Sequence, residues 1–539
     1  MNVQTTNDSS KISAYEALPK GYCTGCSACI SICPKNALKL SADEFGYYVP
    51  EVDLDLCNRC GQCQKICPAI NYSRKNSKNR TAPDLLAVKI SDKEILRKST
   101  SGGIFSLLAT GILKNGGYVC GAAWTEDLNV KHIIVNRIED LALLRKSKYL
   151  QSRIDGIFKQ IKDILNDGKK CLFSGCPCQV AGLKSYLRKD YSNLITVDLL
   201  CGNAPSASFF QKYLKENFDE KPSSYEFRTK DGGLWHEYAS KVICGNKIKI
   251  VKKVEDTYQK AYHPHIMCPI HCEQCKYQKL PRCGDITIGD FWGIKKRLPN
   301  IEVSDGISAV LLNNDKGQTY FSTISDSEFN LKRIVPLEWL GGNGYALKVT
   351  SNYASPGRNR FYKTIKTGMN FSEALNVANR RPVIEQIKAE TCNAVSSYKS
   401  QERKDFILNT EYWEEHHILG DTYIFVKNSV STPQKYAQRK FDKRLIKDCW
   451  YRIYIKFKLS TTSAIVNFHL MDTDNNKYRI IYKHKVKPED SENYSEIEIA
   501  FLADQFYDSF MVGASQFTGH DPWFAMKAMC VFKDKVVYE

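Results

Sequence analysis

The spacing of apolar residues changes character along this 539-residue chain. The first 20 residues are polar and aperiodic, which predicts a loosely held lead-in. Between 84 and 200, short apolar runs alternate with stretches of helical period. LLAVKI, YVCGAAW, VKHIIVN, KCLFSG and ITVDLLC read as strands. STSGGIFSLLATGILKNGG reads as a Gly-rich turn entering a helix that stops at Gly116-Gly117. IDGIFKQIKDILNDGKK places Ile154, Ile157, Phe158, Ile161 and Leu165 on one helical face. Strands alternating with helices predict an α/β layer structure. From 225 to 345 the pattern is mixed, and 355–395 reads as helical. Beyond 405 the period drops to two in WYRIYIKFKLS, SAIVNFHLMD, YRIIYKHKV, SEIEIAFL, SFMVGASQF and AMCVFK. Such spacing predicts the short strands of a β-sandwich.

Two polar stretches, NYSRKNSKNRTAP (71–83) and SSYKSQERK (396–404), have linker composition. They divide the chain into segments 1–70, 84–395 and 405–539. With 43% apolar and 25% charged residues the composition is that of a globular protein. No apolar run reaches the roughly 18 residues that span a bilayer. The start, MNVQTTNDSSK, lacks the apolar core of a secretory signal, so the expected location is cytoplasmic. The net charge of +18 favours acidic partners. The basic residues are scattered and accompany no nucleic-acid motif, so no nucleic-acid partner is expected.

Cysteine changes the picture most. There are 21, and eight of them fall between Cys23 and Cys67. A long chain without a secretory signal points to metal ligation rather than disulfides. The runs Cys23-x2-Cys26-x2-Cys29-x3-Cys33-Pro34 and Cys57-x2-Cys60-x2-Cys63-x3-Cys67-Pro68 have the spacing of a bacterial two-cluster ferredoxin. In that arrangement three close thiolates wrap one 4Fe-4S cube and the fourth turns to the other. Cys23, Cys26, Cys29 and Cys67 are therefore assigned to one cube, and Cys57, Cys60, Cys63 and Cys33 to the second. Gly25 and Gly61 leave room for backbone beside the metal. Structural zinc uses paired ligands, which these runs do not show.

STSGGIFSLLA (99–109), KSKYLQS (146–152), CLFSGCPCQVAGL (171–183), VDLLCGNAPS (197–206), FRTKDGGLW (227–235) and CGDITIGDFWG (283–293) follow in this order. Together they resemble the coenzyme F420 hydrogenase/dehydrogenase beta-subunit family, over residues 20–390. The resemblance implies a flavoprotein that holds FAD beside a 4Fe-4S cluster, because a flavin converts between two-electron and one-electron carriers. Read by themselves, Ser101, Gly102 and Gly103 open a helix whose free N–H groups suit a phosphate, although an ordinary helix start has the same residues. Lys148 and Tyr149, beside Lys146, offer charge and stacking. Gly175, Pro177 and Gln179 follow a buried strand, at the sheet edge where ligands bind; by resemblance this turn lies near the flavin ring. Asp290 completes the expected cofactor contacts. Cys176 departs from the family pattern and reads as an inert small residue, with redox activity as the alternative.

Cys268-x3-Cys272-x2-Cys275-x7-Cys283 forms a further quartet. By resemblance it is a third 4Fe-4S site, with zinc as the alternative reading; Cys178 and Cys201 lie in family motifs and are substitutes for a member of it. Cys178 and His236 are the candidate catalytic side chains. His263, His265 and His271 are further candidate proton donors.

The expected architecture is thus a multidomain α+β and α/β chain. It comprises a bacterial ferredoxin-like unit, an α/β flavin-binding core and a C-terminal jelly-roll-like sandwich, whose Trp413, Trp450 and Trp523 suit sugar stacking or simply their own core. The expected function is an FAD and iron-sulfur oxidoreductase. It would relay electrons between a ferredoxin-like or deazaflavin-type carrier and a small-molecule or glycan-precursor substrate, in surface-polysaccharide assembly, alone or as an oligomer. The alternative is an electron-transfer subunit of a larger complex with no organic substrate of its own.

Overall fold

The computed structural model describes residues 13–379, apart from 74–77, 232–234, 274 and 347–356, together with the strands of a C-terminal unit. The lead-in before residue 13 and the stretch 396–404 lie outside the described residues. The chain divides into two compact units, Met1–Asn379 and Arg380–Glu539.

The first unit is built on a mixed eight-stranded sheet. Its strands run in the order Phe329–Val335, Asp84–Ile90, Ser308–Leu312, Ile286–Asp290, Leu194–Leu199, Cys171–Gly175, Tyr118–Trp124 and Val130–Val135. The four consecutive strands from Ile286–Asp290 to Tyr118–Trp124 are parallel, and the remaining pairs are antiparallel. Cys171–Gly175 is buried along its whole length, as a strand covered on both faces must be. The expected helix at 154–165 begins at Ile157 and buries Ile157, Phe158, Ile161 and Leu165. The mixed 225–345 stretch contributes a separate three-stranded antiparallel sheet, Ser224–Thr229, Ala239–Cys244 and Lys247–Lys252. Within 355–395, the described helices are Arg358–Lys366 and Phe371–Asn379.

The cysteine-rich segment forms an antiparallel strand pair, Leu38–Ala42 with Tyr48–Val52, and three one-turn helices, Ala28–Ile32, Gln62–Ile66 and Pro68–Asn71. Among its contacts with the core, two bear on Gly25 and Cys26. Gln151 clamps the Tyr48 backbone, accepting from its N–H at 2.7 Å and donating to its carbonyl at 3.2 Å. Cys26 packs on the helix Pro177–Leu187, where a Cβ on Gly182 would lie 2.8 Å from the Cys26 Cβ and 3.0 Å from its sulfur. Gly25 needs its lack of side chain twice over: its φ is +65°, and a Cβ would strike the Gln151 amide and the Tyr48 carbonyl. A Cβ on Gly61 meets no protein atom within 4 Å, and only its φ of 69° demands glycine.

In the second unit the alternating segments are strands: Trp450–Leu459, Ile465–Asp472, Lys477–Lys485, Ser495–Leu502, Tyr507–Ser515 and Trp523–Val536. They belong to two antiparallel sheets. One runs Trp413–Ile418, Asp421–Lys427, Trp523–Val536, Trp450–Leu459, Ser495–Leu502, with Ile384–Glu385 also on Trp523–Val536. The other runs Phe406–Ile407, Lys435–Leu445, Tyr507–Ser515, Ile465–Asp472, Lys477–Lys485. Trp413, Trp450 and Trp523 each open a strand.

Candidate redox site

The two ferredoxin runs fold into unlike surroundings. Cys23, Cys26, Cys29 and Cys67 line one small cavity, and among the described residues no other cysteine reaches it. Cys26, Cys29 and Cys67 are buried. Burial, followed by the neighbouring Cys26 thiol, pushes the Cys67 thiol up to about 12. Buried and crowded, these four thiols hold their protons and resist charge, so a cation-rich cluster whose binding displaces the protons is what would turn them into thiolates. The second set is more open. Cys63 has Cys60 and Cys33 as its thiol neighbours, Cys60 is exposed, and Cys57 and Cys33 are partly so.

The third set differs from the expected quartet. Cys272 has Cys268, Cys201 and Cys275 as neighbours, and Cys201 also stands beside Cys268 and Cys275. Cys283 faces other partners. Its sulfur is 3.2 Å from the Tyr72 hydroxyl, and its N–H donates to Asp198 at 3.0 Å. The substitute Cys201 thus takes the place of Cys283 in the gathering. Cys178 adjoins the same group and points also toward Cys26. The loop that carries the thiols is held by Arg282, fully buried and paired with Asp198 at 3.2 Å. Asp198 also accepts from the N–H of Cys283 and of Gly284, and Arg282 donates to the carbonyls of Gln278 and Leu199. Such a pair is costly to break, about 3–5 kcal/mol for removing one partner.

The carboxyl ends of Asp84–Ile90, Cys171–Gly175, Leu194–Leu199 and Ile286–Asp290 share one sheet edge, and a cavity of about 710 Å³ opens there. Its size is that of a cofactor site. Ser101, Gly103, Lys148, Tyr149, Gly175, Pro177, Gln179 and Asp290 all line it, and so do Cys178 and His236. So do Cys201, Cys272 and Cys275. Gly102 does not: its missing Cβ would lie 2.3 Å from the Val88 carbonyl and 2.7 Å from the Ser308 N–H, so it seats the helix Ile104–Lys114 against the sheet. Burial, then the Lys146 ammonium, brings Lys148 down to about 7. Its Nζ donates to the Arg145 carbonyl at 2.7 Å. Tyr149 stacks on Tyr262, with centroids 4.3 Å apart.

Two regions of sequence match known families. Residues 22–70 match the 4Fe-4S dicluster domain, and residues 168–336 match the C-terminal region of the coenzyme F420 hydrogenase/dehydrogenase beta subunits. Residues 168–336 thus carry the C-terminal region characteristic of the coenzyme F420 hydrogenase/dehydrogenase beta subunits. An uncharacterized protein of Methanocaldococcus jannaschii is 24% identical over 56% of this chain and 85% of its own length. One of the subunits of the F(420)H(2) dehydrogenase of Methanosarcina mazei is 20% identical over 58% of this chain and 84% of its own. A chain of the F420-reducing [NiFe] hydrogenase complex of Methanosarcina barkeri superimposes with a TM-score of 0.37 at 18% identity, covering 52% of this chain and 93% of that one.

The segment matching the beta subunits contains site residues that the sequence pattern did not single out. Arg228 donates to Asp290, which also accepts from the Trp235 indole at 2.7 Å. Trp235 stacks on Trp292 at 4.8 Å, and the Arg228 guanidinium lies 4.4 Å from the Tyr238 ring centre. Asp290 therefore serves as the anchor of this wall as well as lining the cavity. The histidines are less suited as proton donors than expected. Burial holds His265 down to about 4 and His263 down to about 3, so both are neutral at pH 7. His263 is engaged by Tyr238 and Gln259, and His265 by Asn203. His236 is half exposed at the cavity wall. Among the described residues no helix is long and apolar enough to cross a membrane.

Proposed function

We propose that this chain is an FAD and iron-sulfur oxidoreductase in which three 4Fe-4S clusters and one flavin are placed in series. The observation that carries the reading is the shared cavity: thiols of the third cysteine group and the residues suited to a dinucleotide face the same space. Cys23, Cys26, Cys29 and Cys67 would hold the inner ferredoxin cluster, and Cys33, Cys57, Cys60 and Cys63 the outer one. Cys201, Cys268, Cys272 and Cys275 would hold the third. Clusters are favoured over zinc by the two Cys-x2-Cys-x2-Cys-x3-Cys-Pro runs and their match to the 4Fe-4S dicluster domain, since structural zinc uses paired ligands.

Bound FAD would supply the exchange between paired and single electrons. The chain's own residues would do the rest. The start of helix Ile104–Lys114 and the Lys148 ammonium would bind the pyrophosphate. Pro177 and Gln179 would border the ring. Gln179 is fixed for this, because its side-chain oxygen accepts from the Cys176 N–H at 2.9 Å. His236, facing water at the cavity wall, is the side chain best placed to pass a proton to a substrate. Cys178 would lie between the third group and Cys26, which suits relay more than covalent chemistry. The exposed edge of the outer cluster would receive electrons from a carrier protein. The two antiparallel sheets of the second unit would form a jelly-roll-like sandwich that binds a glycan precursor, which titration of the full chain with such compounds tests.

The decisive experiment is the iron and flavin content of anaerobically purified protein, for the natural sequence and two variants. About twelve irons and one FAD per chain are expected, three cubes of four. Cys201→Ala should lose about four irons and Cys283→Ala none. Eight irons without flavin would reduce the chain to a ferredoxin unit on a binding scaffold. Flavin and clusters in a chain that copurifies only with a larger complex would favour the electron-transfer subunit.

A further inference from the structure

Tyr277 lies between the inner ferredoxin thiols and the third cysteine group, two residues after Cys275. It is 2% exposed. Its ring packs against Tyr72, with centroids 4.9 Å apart, inside an apolar cluster that also contains Cys26, Cys178 and Cys275. Its N–H donates to the Cys275 sulfur. Its hydroxyl is sealed from water and meets no hydrogen-bond partner among the described residues. A buried donor is rarely left unmade. The thiols around this oxygen come from both sides: Cys26 and Cys67 of the ferredoxin unit, and Cys178 and Cys275 of the core. Tyr72 is different, because its hydroxyl already meets Cys283, which stands outside the third group.

We infer that Tyr277 is a positioning residue for electron transfer between the inner ferredoxin cluster and the third cluster. Its hydroxyl donates a hydrogen bond to a cluster sulfur or ligating thiolate, and its ring fills the gap between the two. The inference rests on the cluster reading above and adds to it a residue that sets the balance between two clusters. One electron leaves the inner cluster and enters the third; no bond is made or broken and no proton is required. Hydrogen bonds to cluster sulfur stabilise the more negative, reduced state and so raise the potential. Losing the Tyr277 hydroxyl therefore makes one of the two clusters harder to reduce.

The test is a redox titration of the full anaerobic chain, followed by electron paramagnetic resonance, for the natural protein, Tyr277→Phe and Tyr72→Phe. Tyr277→Phe should keep all its iron and move one cluster potential negative, changing the one-electron balance between the two clusters by up to about tenfold, or 59 mV. Tyr72→Phe should leave both potentials in place. Unchanged potentials in Tyr277→Phe would overturn the inference, as would iron loss in that variant, which would give the ring a structural role. A shift with Tyr72→Phe alone would overturn it too. Natural protein with no cluster signal would instead sink the cluster reading, and this inference with it.

Discussion

The two ferredoxin runs are the same spacing written twice, yet the fold treats them differently. The inner set, Cys23, Cys26, Cys29 and Cys67, is walled in by the helix Pro177–Leu187 and by Gln151. The outer set has Cys60 in solvent, and Leu54 and Leu56, which precede it in sequence, are 62% and 53% exposed. Spacing fixes which thiols can share a cube; burial fixes what each cube can reach. The outer one can meet a carrier protein. On the proposed reading, the inner one passes electrons on into the core.

The largest expected effect comes from breaking the inner set. Cys29→Ala should remove about four irons, melt at a lower temperature and stop reduction of the flavin by a ferredoxin carrier. Cys60→Ala should also remove about four irons, while thermal stability stays near that of the natural protein and a small chemical reductant still bleaches the flavin. If the two variants behaved alike, the inner and outer roles would be wrong.

Gly182→Ala probes the seam between the ferredoxin unit and the core. In an open helix this change would gain about 1 kcal/mol from helix propensity. Here the added Cβ would lie 2.8 Å from the Cys26 Cβ, and overpacking of this kind costs about 1–3 kcal/mol. The expected net result is a destabilisation of about 1 kcal/mol, read by denaturant unfolding, with a lowered iron content. A stabilised variant would mean that the two surfaces are not pressed together.

The smallest effect lies at the far end of the chain of centres. Lys148 sits near 7 where a free lysine sits near 10.4. Burial and Lys146 therefore penalise its charged form in the folded protein. That penalty is complete below pH 7 and fades as pH rises toward 10.4, so Lys148 alone makes the ligand-free fold more stable at higher pH. Diphosphate binding has the opposite slope. ADP, used as a probe of the pyrophosphate seat, should bind several-fold more tightly near pH 6 than near pH 8, and Lys148→Met should flatten that profile.

Part of this was legible in the sequence. The ferredoxin spacing, the strand at 171–175 and its following turn, and the alternating strands after 450 all follow from local rules. The third cysteine group was only half legible. Cys268, Cys272 and Cys275 are close in sequence, whereas Cys201 follows the strand Leu194–Leu199 and is tied to their loop by Gln278, whose amide donates to the Cys201 carbonyl at 3.1 Å. Cys283, though next in sequence, is turned away by its N–H bond to Asp198 and by Tyr72. Gly102 looked like a phosphate contact; it does not line the cavity, and its missing side chain is required by packing against Val88 and Ser308. Arg228, Trp235 and Trp292 gave no periodic signal, since their partner Asp290 is brought to them by sheet order and not by spacing.

The central claim is that one cavity joins the third cysteine group to a flavin, so that the electrons of both are counted together. Anaerobic reductive titration of the full chain tests this most directly, with the visible spectrum and electron paramagnetic resonance recorded at each step. The account predicts uptake of about five electrons per chain, one for each of three clusters and two for the flavin, with flavin bleaching and cluster signals changing in one connected series. Uptake of about two electrons, with no flavin band, would contradict it.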